Sequence, residues 1–387
     1  MQIKKTAKLL IKIVLPLILI LVCLEFLMVV LDPYLFKGLN EYDPDLGFRV
    51  RGHFQVYPGM VTNQFGFNDR DYSLQKTPGT SRVLVVGDSF SWAGGLDGNY
   101  TALLETMFER RDGSHKVDIV NTGYPGTHTG EQLMMLKKYG LQYNPDLVIL
   151  GFFAGNDFFE ADPNRKRIIV NDCYVDIDKR YEHRLWGYPM IAQSRLLLFM
   201  RQKYQYREIA KQSQKESQAW AAATGQPAPT QNLPEGIFYN IQRAKLEFSN
   251  KTTSAQAFGL NIEYIFQSIS EMNELLRSRN IKFMVAIYPD EMQVRPTQFD
   301  TLVTKYRLNR EDYNLDLAQD LLKSFLDSKQ IPYLDMLGRF RTQEQKQDLY
   351  LFRNTHWNEA GNKLAAEMLF EYLVKQPYDF NSSKQNP

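Results

Sequence analysis

Val83-Leu84-Val85-Val86-Gly87-Asp88-Ser89 is the stretch from which the fold is read. Four apolar residues, three of them β-branched, run into a glycine turn, which is how a short buried strand ends. The same grammar recurs down the chain. Residues 117–120 form a second strand, closed by Gly123, Pro125 and Gly126. Residues 147–153 form a third, apolar throughout and closed by Gly155-Asn156-Asp157. Residues 283–288 form a fourth, stopped by Pro289, and residues 332–334 a short fifth. Apolar residues at helical spacing fill 101–111, 132–139, 261–279, 315–326 and 358–374. Strands alternating with helices predict an α/β fold: a three-layer α/β/α sandwich around a mostly parallel, five-stranded sheet. Such a sheet gathers its functional loops at the carboxyl ends of its strands. Three polar, glycine-rich loops fall there, at 87–89, 123–126 and 155–157, and His356 stands just before the last helix.

These residues suit acyl chemistry. Ser89 leaves a strand and enters a helix, so its hydroxyl is exposed beside free backbone N–H groups. A serine hydroxyl needs an adjacent base, and His356, with its near-neutral intrinsic pKa, is the candidate. A tetrahedral oxyanion needs preorganised donors. The Ser89 and Gly126 backbone N–H groups and the Asn156 side-chain amide supply three, and the missing Cβ of Gly126 lets a substrate approach. Each piece has a plainer reading. Gly-Asp-Ser is a common turn, Gly126 a turn glycine, Asn156 a helix cap, and His356 a surface histidine. Their order favours the site: each motif follows its own strand and the histidine comes last.

Four blocks carry a resemblance. Val-Gly-Asp-Ser-Phe at 86–90, Asn-Thr-Gly-Tyr-Pro-Gly at 121–126, Ala-Gly-Asn-Asp at 154–157 and His-Trp-Asn-Glu-Ala-Gly at 356–361 resemble those of the SGNH (GDSL) hydrolase superfamily. Asn-Gln-Phe-Gly-Phe-Asn-Asp at 63–69 resembles the segment before the first block in membrane-anchored bacterial members, including relatives of polysaccharide O-acetyl transferases and esterases. The resemblance covers roughly 60–160 and 280–372. It implies a flavodoxin-like sheet, Ser89 as nucleophile and His356 as general base. It also implies an oxyanion hole of Ser89, Gly126 and Asn156, with Asp88 bracing the turn.

The chain departs from the pattern beside the histidine. The superfamily usually places Asp two or three residues earlier, where this chain has Asn354 and Arg353. Asn354 can orient the ring through its carbonyl oxygen but stabilises an imidazolium less. An Asp-to-Asn change in serine proteases lowers turnover ~10⁴-fold. Arg353, if close, would disfavour the imidazolium further. Asp348 could substitute only if its loop folds back. Ala154 replaces a usual glycine, with Asn156 intact.

At the other end, Lys4, Lys5, Lys8 and Lys12 precede an apolar run over 13–31, long enough to span a bilayer. The positive-inside bias puts the N-terminus in the cytoplasm and everything after Asp32 outside. A cleaved signal peptide is the rival, but its apolar region is usually shorter and ends in small residues. A lipoprotein anchor at Cys23 would want a small residue where Val22 stands. Glu25 inside the run is costly unless it is paired, protonated or near water, and contact with another membrane helix would pair it. The expected organisation is therefore 1–32 cytoplasmic N-terminus and signal anchor, 33–80 irregular lead-in with one or two short strands, and 81–376 α/β/α domain. An insertion at about 162–260 and a tail at 377–387 complete it.

Composition sets the bounds. With 44% hydrophobic residues, 23% charged and a net charge of +2, the chain is globular, and a basic nucleic-acid binder is disfavoured. Two cysteines exclude a disulfide framework and a four-cysteine zinc site. No phosphate loop or His-Glu-x-x-His motif occurs, and five scattered histidines lack metal-ligand spacing, so neither metal nor cofactor is expected. His128 reads as a solvated loop position. Phe152 and Phe153 read as strand core, and Phe158 and Phe159 as pocket rim. The expectation is a bacterial, inner-membrane, single-pass serine esterase or O-acyltransferase with an extracytoplasmic domain. It would act on O-acetyl esters of a cell-envelope carbohydrate, with envelope polysaccharide machinery as a partner. Two alternatives stay open: a catalytically impaired carbohydrate-binding component, and a membrane-associated lipase or lysophospholipase.

Overall fold

The computed structural model describes residues 2–35, 38–57, 59–111, 116–165, 167–170, 173–176, 194–229 and 233–376. The tail expected at 377–387, with His115 and His183, lies outside the described residues. The chain divides into two compact units, Met1–Arg51 with Asn164–Lys215, and Gly52–Pro163 with Glu216–Pro387.

The larger unit is built on five strands: β1 (Thr80–Gly87), β2 (Lys116–Asn121), β3 (Leu147–Phe153), β4 (Lys282–Tyr288) and β5 (Tyr333–Asp335). They lie in the order β5-β4-β3-β1-β2, and every neighbouring pair is parallel. The sheet expected to be mostly parallel is thus parallel throughout. Its order is flavodoxin-like, with the topological switch point between β1 and β3, where such sheets bind ligands.

Unbroken apolar strands are explained by cover on both faces. Val83 and Val85 belong to one core, with Leu104 and Phe108 of helix Tyr100–Arg111 and Ala365 and Leu369 of helix Glu359–Lys375. Leu84 and Val86 belong to the other, with Leu133 and Leu136 of helix Thr129–Lys138 and Ile265 and Ile269 of helix Ser254–Ser278. Helix Leu317–Lys329 completes that layer. Burying each such aliphatic side chain stabilises the fold by roughly 1.5–3 kcal/mol. Helix Ser254–Ser278 starts ahead of the expected 261, and Asn261, inside it, donates its amide to Phe158 O at 3.1 Å. Much of the lead-in joins this unit. Gln55–Tyr57 pairs with Met60–Val61, and Asp69 accepts the Asn121 N–H at 2.6 Å at the end of β2.

The smaller unit contains helix Gln2–Leu35, in which Lys12–Leu31 has a mean hydropathy of 3.1 and no buried share. It also holds two antiparallel ribbons, Asn40–Glu41 with Arg49–Val50 and Arg167–Val170 with Cys173–Asp176. The second ribbon was not foreseen, its strands being only four residues each. Glu25 finds its partners at the start of helix Arg195–Thr224. It accepts from Ser194 Oγ at 2.6 Å, Arg195 N at 2.7 Å and Leu196 N at 3.1 Å. The acid inside the apolar run is thus paired, as a cap on the start of another helix of its own chain.

Candidate active site

Asp88 ends β1 and its carboxylate accepts the Phe90 N–H at 2.9 Å, capping the helical turn Ser89–Trp92. That bond fixes where Ser89 points. The loop after β2 is stitched to the same place. Thr122 N donates to Val85 O at 2.8 Å and Tyr124 N to Gly87 O at 3.0 Å. The Asn121 amide donates to Ser91 O at 2.7 Å while its carbonyl oxygen accepts Gly123 N at 2.8 Å. Gly123 packs so close that a Cβ there would overlap the Ser91 side chain. Gly126 is half-buried and holds φ +70°, a left-handed backbone that suits glycine. Among the described residues, neither the Ser89 nor the Gly126 backbone N–H has a protein acceptor.

Asn156 opens the turn Asp157–Glu160 after β3, but its side chain makes no cap bond, and its Oδ1 is buried without a protein partner. The helix-cap reading of Asn156 thus finds no bond to support it. Asp157 accepts Phe153 N at 3.0 Å. Asp88 and Asp157 are both fully buried, and burial pushes both carboxyls up. The Asp88 charge raises Asp157 further.

His356 comes from the loop before the final helix. Its Nε2 lies 2.8 Å from Ser89 Oγ, a contact across 267 residues of chain. Its Nδ1 lies 2.7 Å from Asn354 Oδ1. An amide oxygen only accepts, so Nδ1 carries the proton and the Nε2 lone pair faces the serine hydroxyl. Burial, then the Lys245 charge, push His356 down to about 4, so the imidazole is neutral near pH 7.

Arg353 and Asp348 are both engaged elsewhere. Arg353, at φ +46°, turns its guanidinium to Glu216 at 2.7 Å and Glu235 at 2.8 Å. Asp348 is held by Arg295 Nη2 at 2.9 Å. The structure thus brings together Ser89, His356 and Asn354, and gives the second imidazole nitrogen an asparagine as partner.

Other readings are corrected. His128 is not solvated: it is 2% exposed, caps helix Thr129–Lys138, and its N–H donates to Glu131 at 3.2 Å. Phe158 is core, stacked on Phe248 with centroids 5.0 Å apart, and only Phe159 reaches a cavity rim. That small cavity is lined by Ala154, Gly155, Phe159, Lys245 and Asp290, among others. Lys245 and Asp290 form a buried pair at 2.8 Å that sequence reasoning missed. Asp290 was legible in principle, standing at the carboxyl end of β4. Lys245 carried no signal, being one basic residue of a helix that was not foreseen, Glu235–Leu246.

Residues 248–386 match the family described as "SGNH hydrolase-like domain, acetyltransferase AlgX". The match includes Asn354 and His356 and excludes Ser89. No curated protein matches this chain. Among solved structures, an acetyl xylan esterase, AlAXEase, is 15% identical with TM-score 0.39, covering 76% of this chain and 99% of its own. A lipase/acylhydrolase from Enterococcus faecalis is 14% identical with TM-score 0.38, covering 79% and 100%. The psychrotrophic esterase EstA from Pseudoalteromonas sp. is 12% identical with TM-score 0.36, covering 76% and 97%.

Proposed function

We propose, from the premise that this chain belongs to the SGNH/GDSL hydrolase superfamily and is an acyl esterase or acyltransferase in kind, that Ser89 carries an acyl group taken from an O-acetyl ester. The observation that supports this most is the continuous chain Ser89 Oγ–His356 Nε2 at 2.8 Å and His356 Nδ1–Asn354 Oδ1 at 2.7 Å. Ser89 Oγ attacks the ester carbonyl carbon as its proton passes to His356 Nε2. The oxyanion is received by the Ser89 and Gly126 backbone N–H groups and the Asn156 amide. The imidazolium is steadied through Nδ1–H by Asn354 Oδ1, and Asp88 braces the turn. Collapse breaks the ester C–O bond, the alcohol leaves with the His356 proton, and an acyl-serine remains. Water or a sugar hydroxyl then attacks it, with His356 as base again.

The setting of this reading is the cell envelope. Lys12–Leu31 serves as a membrane anchor, with the lysine-rich end in the cytoplasm and the α/β/α domain outside. The substrate class is then an acetylated envelope carbohydrate. The soluble domain is assayed with a chromogenic acetyl ester beside Ser89→Ala. Hydrolysis that Ser89→Ala abolishes is expected, and equal rates remove Ser89 from the mechanism.

Asn354 supports a second reading, a carbohydrate-binding component with little catalysis, because an amide stabilises imidazolium far less than a carboxylate. It predicts retained sugar binding and no covalent labelling by a serine-directed phosphonate. Stoichiometric labelling at Ser89 decides against it.

A further inference from the structure

We infer that the first two turns of helix Arg195–Thr224 are seated in the outer lipid leaflet beside the anchor helix, making a second membrane contact of this chain. This rests on the reading of Lys12–Leu31 as a membrane anchor. Glu25 is a carboxylate six residues before the end of the apolar run. At 1.5 Å per helical residue it lies about 9 Å below that end. Its oxygens accept from Ser194 Oγ, Arg195 N and Leu196 N. A helix start bonded to a residue at that depth is itself at that depth.

The sequence that follows suits this placement. Leu196 to Met200 is five apolar residues in a row, rising about 7.5 Å along a helix. A helix running outward from that start would cover nearly the depth of Glu25 in those five residues. Arg201 and Lys203 come next, the first basic residues beyond the run, with Tyr204 and Tyr206 beside them. Met200, Tyr204 and Tyr206 are 58%, 66% and 61% exposed, while Leu198 is buried and Leu196, Leu197 and Phe199 are half-buried. Aromatic and basic residues above an apolar step are what a bilayer boundary selects: tyrosine at headgroup level, cations toward anionic lipid, aliphatics among acyl chains. The cap also accounts for the tolerance of Glu25. Three donors of one helix start replace the water it would otherwise lose.

The test uses the full chain, with both cysteines replaced by serine, in vesicles of phosphatidylcholine and phosphatidylglycerol. Single cysteines from Leu21→Cys, Leu197→Cys, Met200→Cys and Lys211→Cys carry a nitroxide. Collision with oxygen, which favours lipid, is compared with a water-soluble nickel chelate. The oxygen-to-nickel ratio at 197 and 200 is expected to approach that at 21 and exceed that at 211 by about ten-fold. Ratios at 197 and 200 equal to that at 211, with 21 still lipid-like, overturn the inference and leave the anchor standing. A water-like ratio at 21 overturns the anchor and this inference together. Shielding from both reagents at 197 and 200 means a protein partner covers the helix, and also overturns it. Two labelled positions guard against one substitution disturbing the packing.

Discussion

The serine side of the site and the histidine side are built by different means. The serine side is local and made of backbone. Asp88 caps its own turn, the β2 loop is stitched to Val85 and Gly87 by main-chain bonds, and Gly123 lets the two loops touch. The histidine side has local backbone bonds of its own, Leu351 N–H to His356 O at 3.0 Å among them, and adds charge from afar. Arg353 reaches Glu216 and Glu235, Arg295 reaches Asp348, and Tyr350 OH donates to Pro289 O at 2.8 Å. A proposed nucleophile fixed by backbone has one geometry. A proposed base whose loop is also braced by ion pairs has a geometry that individual side chains can alter.

The sharpest way to break that contrast is at its shared bond. Ser89→Ala should lower turnover of an acetyl ester by at least about 10⁴-fold, since triad members act as a unit. Circular dichroism should be unchanged. Next, Asn354→Asp should raise kcat at neutral pH by about 10²-fold, a partial recovery of what an acid partner contributes. The pH profile gives the sign. Only neutral His356 accepts the serine proton, and its pKa is pushed down to about 4, so activity should be level near pH 7 and fall as pH drops through about 4. A carboxylate at 354 raises that pKa, so in Asn354→Asp the fall must begin at higher pH. An unmoved limb would show that residue 354 does not govern the ring.

Smaller effects sharpen the comparison. Arg353→Ala should cut kcat by about ten-fold with KM little changed, because a displaced base costs rate and leaves binding intact. Glu216→Gln with Glu235→Gln should reproduce it, and a loss of KM alone would assign these residues to substrate binding instead. Gly123→Ala should act on stability, costing about 1–3 kcal/mol by overpacking, read from urea unfolding of the soluble domain. A marked loss of activity at unchanged stability would mean that the backbone side is as adjustable as the charged one.

The same division explains what was legible in the sequence. Strand positions, layers and the Ser89, Gly126 and Asn156 loops could be read because each rests on a short run of apolar residues and then a glycine turn, whereas the order of the sheet was implied by the resemblance and His356 by its place before the last helix. Two-sided burial of Val83 to Val86 is written in four consecutive letters. The ion pairs were not legible, because charge partners such as Arg353 and Glu216 lie 137 residues apart and nothing local marks them. Lys245 was hidden for the same reason, a surface-looking residue turned inward by Asp290. Glu25 was legible as an anomaly, but the identity of its partner was not, since a helix start 169 residues away leaves no trace near it.

The sequence separation of 267 between Ser89 and His356 has a temporal consequence. A ribosome delivers the hydroxyl first and the imidazole near the finish. Until the closing segment arrives, the hydroxyl has no proton acceptor and stays inert. If Ser89 and His356 are nucleophile and base, a chain still emerging therefore holds no activated serine.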